Sequence, residues 1–146
     1  MKFIYSILFS LCVTVILSSC ESQTSLLSES TIRENLEADW KPIPGTSNYG
    51  SSTSGRDVFW RFKSGSLKVI EANGVNLKTL DSGTYIIDAK LENPTLKIEG
   101  FTSRDLDTTY GFNTLWTFIQ VDGKVLDLAG NPSNGGLVEL EFTKRK

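Results

Sequence analysis

After Trp40, most of the chain consists of short runs in which apolar and polar residues alternate. A period of two is typical of β-strands that bury one face, because successive side chains point to opposite sides of a sheet. Residues 40–43 predict a weak first strand, since Pro42 has no N–H for a central ladder. The stronger predicted strands are 58–63, 67–72, 84–89, 95–101, 115–121, 125–128 and 137–143.

Turn-forming residues separate these runs. Glycine and asparagine adopt backbone conformations that tight turns require, and proline fixes φ. No helical periodicity interrupts the strands, so the pattern predicts an all-β domain with eight short antiparallel strands. The predicted turns contain Ser64-Gly65, Asn73-Gly74, Ser82-Gly83, Asn93-Pro94, Asp122-Gly123 and Asn134-Gly135-Gly136.

The alternation of side chains between the two faces of paired strands tests two of the predicted hairpins. A two-residue turn at 64–65 places Trp60 opposite Val69 on an apolar face. The same register places Arg61 opposite Lys68 on the other face, which must therefore face solvent. Near the C-terminus, the alternation of residues 138–142 likewise gives one apolar face and one acidic face.

The second hairpin is less clear. A two-residue turn at 122–123 places Ile119 opposite Leu126 on the apolar face. In that register Trp116 and Phe118 lie on the other face, either as an exposed binding strip or packed under an N-terminal helix. A one-residue bulge would instead turn both aromatic side chains inward.

One apolar and one charged face along successive strands indicate a sheet that surrounds a single interior. Eight strands can close such a sheet, which removes its edges and leaves room for side chains or one small ligand. We therefore predict an eight-stranded antiparallel up-and-down barrel over residues 31–146. Trp60, Phe62, Tyr85 and Tyr110 are the candidate ligand-binding residues, and the alternative is that these side chains simply fill the interior.

A short helix is predicted before the first strand. Thr31 and Glu34 have the spacing of a capping box, with Thr31 as the N-cap. We predict a helix over residues 31–37 with Ile32 and Leu36 on its apolar side. A helix of this length is unstable alone, so it should pack against one end of the domain.

An apolar run over residues 3–17 precedes the predicted domain and follows a single Lys2. It is shorter than the ~20 residues that span a bilayer as a helix. It ends at Leu17-Ser18-Ser19-Cys20, after which the chain becomes polar. We interpret residues 1–19 as a signal peptide and residues 20–30 as a flexible tether.

The sequence Leu17-Ser18-Ser19-Cys20 resembles the lipobox of bacterial lipoproteins. The resemblance implies that Cys20 receives a diacylglyceryl group and becomes the acylated first residue of the mature protein, with palmitate among the expected acyl chains. Two acyl signals are needed for stable anchoring, and a lipoprotein N-terminus supplies them on one residue. The implied location is the bacterial cell envelope, with the outer membrane as the expected membrane partner.

Residues 36–144 resemble the small lipocalin-like domains found on bacterial lipoproteins. Ala38-Asp39-Trp40 stands where true lipocalins have Gly-x-Trp. The resemblance implies an up-and-down barrel that follows a short N-terminal helix. It rests on the order of Trp40, Phe59-Trp60-Arg61-Phe62-Lys63-Ser64-Gly65-Ser66, Gly83-Thr84-Tyr85, Leu96-Lys97-Ile98, Val121-Asp122-Gly123-Lys124-Val125-Leu126-Asp127-Leu128 and Leu140-Glu141-Phe142-Thr143-Lys144.

The composition argues against several kinds of chemistry. The chain has no histidine, so His-based triads, His general bases and the commonest metal ligand are missing. Cys12 belongs to the predicted signal peptide and Cys20 is the predicted acylation site, which leaves the domain without a disulfide or a free thiol. The net charge of −2 is too mild to indicate nucleic-acid binding. We predict no cofactor and no metal ion.

Paired acids are the remaining route to catalysis. Glu139 and Glu141 share a strand face that is predicted to face solvent. Asp105 and Asp107 lie in a long connection, and their spacing does not indicate the two carboxylates across a cleft that glycoside hydrolysis uses. We therefore predict that the protein is not an enzyme.

Two functions remain open, and we expect a monomer in either case. Binding of a small apolar molecule predicts an internal cavity beside Trp60 and Tyr85. A glycan- or protein-binding module that uses surface aromatics and long loops predicts a solid barrel. In that second case Trp116, Tyr49 or Tyr110 should be exposed in a cluster.

Overall fold

The computed structural model describes residues 28–43, 55–90, 93–102, 112–131 and 136–146. The signal peptide, Cys20 and the tether before Ser28 lie outside these residues. Helix α1 spans Glu29–Leu36, and the regular elements that follow it within these described ranges are all strands. The strands are β1 (Asp39–Pro42), β2 (Asp57–Lys63), β3 (Ser66–Asn73), β4 (Asn76–Asp88), β5 (Thr95–Glu99), β6 (Leu115–Val121), β7 (Val125–Gly130) and β8 (Val138–Lys144).

The strands form a closed antiparallel ring in chain order from β1 to β8. Pairing of β1 with β8, where Trp40 lies opposite Lys144, completes the ring and leaves neither of these strands with an open edge. The predicted eight-stranded up-and-down barrel with an N-terminal helix is therefore confirmed. In this topology the β2–β3, β4–β5 and β6–β7 connections share one end with α1, here called the helix end. The other four connections lie at the opposite, distal end.

The interior is filled by apolar side chains from all eight strands and from α1. Ile32 and Leu36 of α1 are fully buried, and the indole Nε1 of Trp40 donates to the Leu36 carbonyl at 2.8 Å. The predicted packing of the helix against one end of the barrel is thus confirmed. Within the part of the chain that the structure describes, no helix has the length and hydrophobicity needed to cross a membrane.

The β2–β3 hairpin has the predicted register. Trp60 pairs with Val69, and Arg61 pairs with Lys68. Ser64 has φ 50° and Gly65 has φ 78°, so both turn residues occupy the left-handed region that a two-residue hairpin favours. The charged face of this hairpin points outward, as its side-chain pattern indicates.

The predicted register of the β6–β7 hairpin is wrong. Val121, not Ile119, lies opposite Leu126. The cause is a wider turn, because the Asp122 carboxylate accepts the N–H groups of both Lys124 and Val125 at 2.7 and 2.8 Å. These bonds add two residues to the predicted connection.

The wider turn shifts the register by two residues and keeps each face, so it is the one-residue irregularity between Phe118 and Gln120, the bulge considered above as the alternative, that reverses the predicted faces of β6. Trp116 and Phe118 point inward and are buried, and Phe118 lies opposite Leu128. An irregularity between Phe118 and Gln120 leaves Ile119 and Gln120 both exposed, with Ile119 at 59%. Trp116 therefore cannot belong to an exposed aromatic cluster.

Two predicted boundaries are also corrected. Helix α1 is capped by Ser28, whose Oγ accepts the N–H of Thr31 at 3.2 Å, so Thr31 occupies the first turn and is not the N-cap. The predicted turn at Ser82-Gly83 is absent because both residues belong to the long strand β4. Gly83 lies there opposite Leu67, beyond a register shift in β3.

Candidate functional site

An aromatic cluster occupies the barrel interior, with the fully buried Trp60 at its centre. The centroid of the Trp60 ring lies 5.1 Å from that of Phe112 and 5.1 Å from that of Phe142. Phe101 and Phe62 follow at 6.0 and 6.3 Å. Packed aromatic rings prefer centroid separations of about 4.5–7 Å, so this is direct ring-to-ring contact.

The structure brings together three of the four predicted ligand-binding residues. Trp60 and Phe62 alternate along β2, and Phe62 meets the ring of Tyr85 edge-on at 5.3 Å. The Tyr85 hydroxyl lies at the helix end and donates to Glu37 Oε1 at 3.3 Å. Burial raises the pKa of this phenol, and the Glu37 carboxylate adds to the effect. Tyr110 lies outside the described residues.

Sequence reasoning did not assign Phe101 and Phe112 to this site. Both lie outside the regular strands, at the two ends of the β5–β6 connection at the distal end. Their rings are 6.2 Å apart, and Phe112 also stacks near Trp116 at 6.5 Å. The only hint in the sequence is that aromatic residues flank a segment otherwise rich in polar residues.

The Asn113 side chain fixes the two ends of the β5–β6 connection to one another. The Asn113 amide accepts the N–H of Phe101 through Oδ1 and donates to its carbonyl through Nδ2, both at 2.8 Å. The amide thereby imitates a strand partner for a residue just past the end of β5. This pairing holds the Phe101 ring against Trp60.

Asp81 provides a second attachment. Its carboxylate is buried and accepts the N–H groups of Ser82 and Thr102 at 2.8 and 2.9 Å. Asp81 belongs to β4, whereas Thr102 follows β5, so the carboxylate ties the connection to the neighbouring strand. A buried carboxylate with two backbone donors is a stable arrangement, because its oxygens lose water but keep hydrogen bonds.

In this conformation the rings themselves fill the interior beside Trp60, where binding of a small apolar molecule predicted a cavity. Strand residues such as Phe62 and Phe142 are held there by the ladders of the barrel. Phe101 and Phe112 lie outside those ladders: the Asn113 amide holds the backbone of Phe101, and the indole Nε1 of Trp116 on β6 donates to the Phe112 carbonyl at 3.3 Å. A ligand that reached Trp60 from the distal end would therefore have to displace these two rings.

Of the acids considered for catalysis, Glu139 and Glu141 lie among the described residues. Glu139 and Glu141 point outward from β8, as predicted, with Glu139 exposed. Asp127 of β7 lies beside them, opposite Glu141, and one of its carboxylate oxygens is buried without a hydrogen-bond partner. Burial raises the pKa of Asp127, and the two glutamates add to the rise. Asp105 and Asp107 lie outside the described residues.

Residues 28–43, 55–90, 93–102, 112–131 and 136–146 contain no candidate metal site. Within those ranges no three acidic, histidine or cysteine side chains are placed so that they could hold a metal ion. Polar groups at the aromatic cluster include the Tyr85 hydroxyl, the Asn113 amide, the Asp81 carboxylate and the Trp116 indole N–H, and each of these has a hydrogen-bond partner. What the arrangement offers chemically is therefore an apolar, aromatic contact surface.

Comparisons with known proteins add one structural similarity. No family model matches the chain, and no curated protein matches it. A solved structure, described as a lipocalin-like protein from Bacteroides uniformis, superimposes with a TM-score of 0.46 at 17% sequence identity. The match covers 76% of this chain and 99% of the other. The description of this protein as an eight-stranded up-and-down barrel accordingly rests on its own strand order and pairing.

Proposed function

We propose that the protein is a monomeric, lipid-anchored lipoprotein of the bacterial cell envelope whose barrel binds a small apolar molecule at the aromatic cluster. The observation that carries the proposal is the environment of Trp60. This side chain lies at the centre of a cluster completed by Phe101 and Phe112, which belong to no strand. Binding, and not catalysis, is the role we propose.

Replacement of the Phe101 and Phe112 rings by a bound ligand is energetically reasonable. A ligand that replaced Phe101 and Phe112 would restore aromatic and apolar contacts with Trp60 and so offset those that are lost. Burial of apolar ligand surface contributes about 25 cal/mol per Å². The cost is the release of Asn113 and Asp81 from the ends of one connection, whereas the strand ladders stay intact.

The position of α1 supports an orientation for the anchored protein. The proposed tether from Cys20 joins the chain at Ser28, directly before α1 at the helix end. An anchor at Cys20 would hold this end near the membrane and direct the distal end away from it. The aromatic cluster would then be reached from the side opposite the membrane.

Ligand binding can be tested with N-phenyl-1-naphthylamine, a neutral apolar probe whose fluorescence rises in apolar surroundings. Residues 20–146 with Cys20→Ser would be titrated, and saturable binding is the expected result. Trp60→Leu should weaken binding at least tenfold, whereas Ile86→Ser should leave it unchanged, because Ile86 is an exposed apolar residue on the outside. Unsaturable binding, or loss in the Ile86 variant alone, would remove the proposal.

Anchoring can be tested separately in a Gram-negative host. The full chain should fractionate with membranes, and its N-terminal peptide should carry acyl chains by mass spectrometry. Cys20→Ala should abolish the acylation and release the protein. A Cys20→Ala protein that is still acylated would disprove this part of the proposal without affecting ligand binding.

A further inference from the structure

A basic concavity lies on the outer face of the β2–β3 hairpin. It has a volume of about 450 Å³ and is lined by Arg61, Lys63, Ser64, Ser66 and Lys68. Volumes of roughly 300–1,000 Å³ are usual for small-molecule sites. These residues point away from the interior, so the concavity, here called the basic pocket, is separate from the aromatic cluster.

The strand register concentrates positive charge in this pocket. Arg61 lies directly opposite Lys68, and Lys63 lies opposite Ser66 across the same hairpin. Like charges in directly opposed positions destabilise a sheet. The fold therefore holds cations together at a position where its own stability would favour an acid or a neutral residue.

Arg61 is fixed in place for binding. Its Nε and Nη2 donate to the two carboxylate oxygens of Asp39, each at 2.7 Å, and its guanidinium lies 5.4 Å from the ring centroid of Phe59. Arginine carries five N–H donors in a planar fork, and Asp39 occupies two of them. The remaining donors are held in a defined orientation beside the pocket.

The two lysines are not neutralised by the fold. Among the described residues, the side-chain ammonium group of neither Lys63 nor Lys68 has a hydrogen-bond or ion-pair partner. The carboxylate of Glu37 contacts the turn, where it accepts the N–H of Ser64 at 3.0 Å, and it also accepts the Tyr85 hydroxyl. With Arg61 paired to Asp39, the two ammonium groups outnumber the single carboxylate of Glu37 beside the turn, so the pocket keeps a net positive charge.

We propose that the basic pocket binds a phosphate ester. Arginine forks match phosphate oxygens in bidentate geometry, lysines supply point charges, and the Ser64 and Ser66 hydroxyls add neutral donors. The volume leaves room for the organic group that carries the phosphate. This group is either a free phosphorylated sugar or the headgroup of an anionic lipid, and both present the same chemistry to the pocket.

The test uses the acylated full chain, labelled with ¹⁵N, in phosphatidylcholine nanodiscs. Glucose 6-phosphate should produce saturable shifts in the amide signals of residues 64–68, and glucose should not. Lys63→Gln with Lys68→Gln should weaken binding at least tenfold. Lys78→Gln with Lys124→Gln removes the same charge outside the pocket and should change affinity less than twofold.

A second arm separates the two sources of phosphate. Nanodiscs that contain phosphatidylglycerol, without added sugar phosphate, should shift the same amides if the pocket faces a lipid headgroup. Shifts with glucose 6-phosphate alone identify a site for soluble esters. The absence of saturable shifts in both arms, or equal loss in the control variant, overturns the proposal.

Discussion

At the scale of single residues, Gly83 marks the closest approach between β4 and the segment that follows β5. A Cβ at this position would lie 2.3 Å from the Glu99 carbonyl oxygen and 3.1 Å from the Phe101 ring. The carbonyl belongs to the backbone and cannot turn away. We expect Gly83→Ala to lower the free energy of unfolding by about 1–3 kcal/mol, the usual cost of overpacking, measured by urea denaturation.

Gly123 provides the matched control. A Cβ there would meet nothing within 4 Å, and its φ is not positive. Gly123→Ala should change stability by less than about 0.5 kcal/mol, as for most surface substitutions. Equal effects of the two substitutions would show that the contact at Gly83 does not limit the side chain.

Asp127 gives a prediction about pH. Its pKa is raised, first by burial and then by Glu141 and Glu139, so the folded protein holds a proton more tightly than the unfolded chain. This group therefore destabilises the fold near neutral pH, and the destabilisation fades as pH falls through the raised pKa. Asp127→Asn should increase stability at pH 7 by a few tenths of a kcal/mol, up to about 1.

Urea denaturation curves at several pH values test whether the gain in stability of Asp127→Asn depends on pH. The advantage of Asp127→Asn over the native chain should shrink as pH falls toward about 4, the ordinary pKa of aspartate. Glu34→Gln, at an exposed position on α1, should show no comparable effect. An advantage that is constant with pH would mean that the raised pKa of Asp127 is not its cause.

At the scale of elements, α1 depends on a cap that the sequence pattern placed three residues too late. Both Ser28 and Thr31 are good N-cap residues, and the Thr31–Glu34 spacing favoured the second. Ser28 Oγ accepts the Thr31 N–H and also lies 2.9 Å from Thr31 Oγ1. The two hydroxyls thus cooperate, and the earlier one begins the helix.

The cap can be tested by substitution. Ser28→Ala should destabilise α1 by about 1 kcal/mol, the usual cost of losing an N-cap. Asn35→Ala, inside the same helix, should be neutral or slightly stabilising, because alanine has the better helix propensity. Hydrogen exchange of the α1 amides is the measurement, and unchanged protection in Ser28→Ala would contradict the assignment of the cap.

The hairpins show which registers can be predicted from sequence. On β2 one face is aromatic and the other carries Arg61 and Lys63, so only one register buries the right face. On β6 both faces are apolar, since Leu115 and Ile119 alternate with Trp116 and Phe118. Either face could then have pointed inward, and the one-residue irregularity between Phe118 and Gln120, which no periodic pattern indicates, turned Trp116 and Phe118 into the interior.

The same reasoning applies to the aromatic cluster. Trp60, Phe62 and Tyr85 could be predicted as interior residues because they lie on regular strands. Phe101 and Phe112 could not, because both lie outside the strands, and the Asn113 side chain, not strand periodicity, positions the backbone of Phe101. Such bonds depend on residues that are distant in sequence and give no periodic signal.

At the scale of the whole molecule, the C-terminal residues hold together the strands on either side of the closure. Phe59 points outward from β2 but is fully buried, because the Arg145 guanidinium covers its ring at 4.1 Å. Arg145 also donates through Nη2 to Asp57 at 2.9 Å and through its backbone N–H to the Asp39 carbonyl. One residue after β8 therefore contacts both β1 and β2.

The form of the Arg145 side chain, and not only its charge, should determine how much it stabilises the barrel. A half-exposed ion pair such as that with Asp57 contributes little, whereas a cation over an aromatic face contributes about 0.5–2 kcal/mol. We expect Arg145→Ala to lower the free energy of unfolding by about 1–2 kcal/mol on that basis. Arg145→Lys keeps the charge but loses the planar group over Phe59, so it should recover less than half of the loss in the free energy of unfolding.

Lys146→Ala, at an exposed neighbouring position, should have no effect in the same urea titration. If lysine restores full stability, charge alone holds the two sides of the closure together, and the covering of Phe59 contributes nothing.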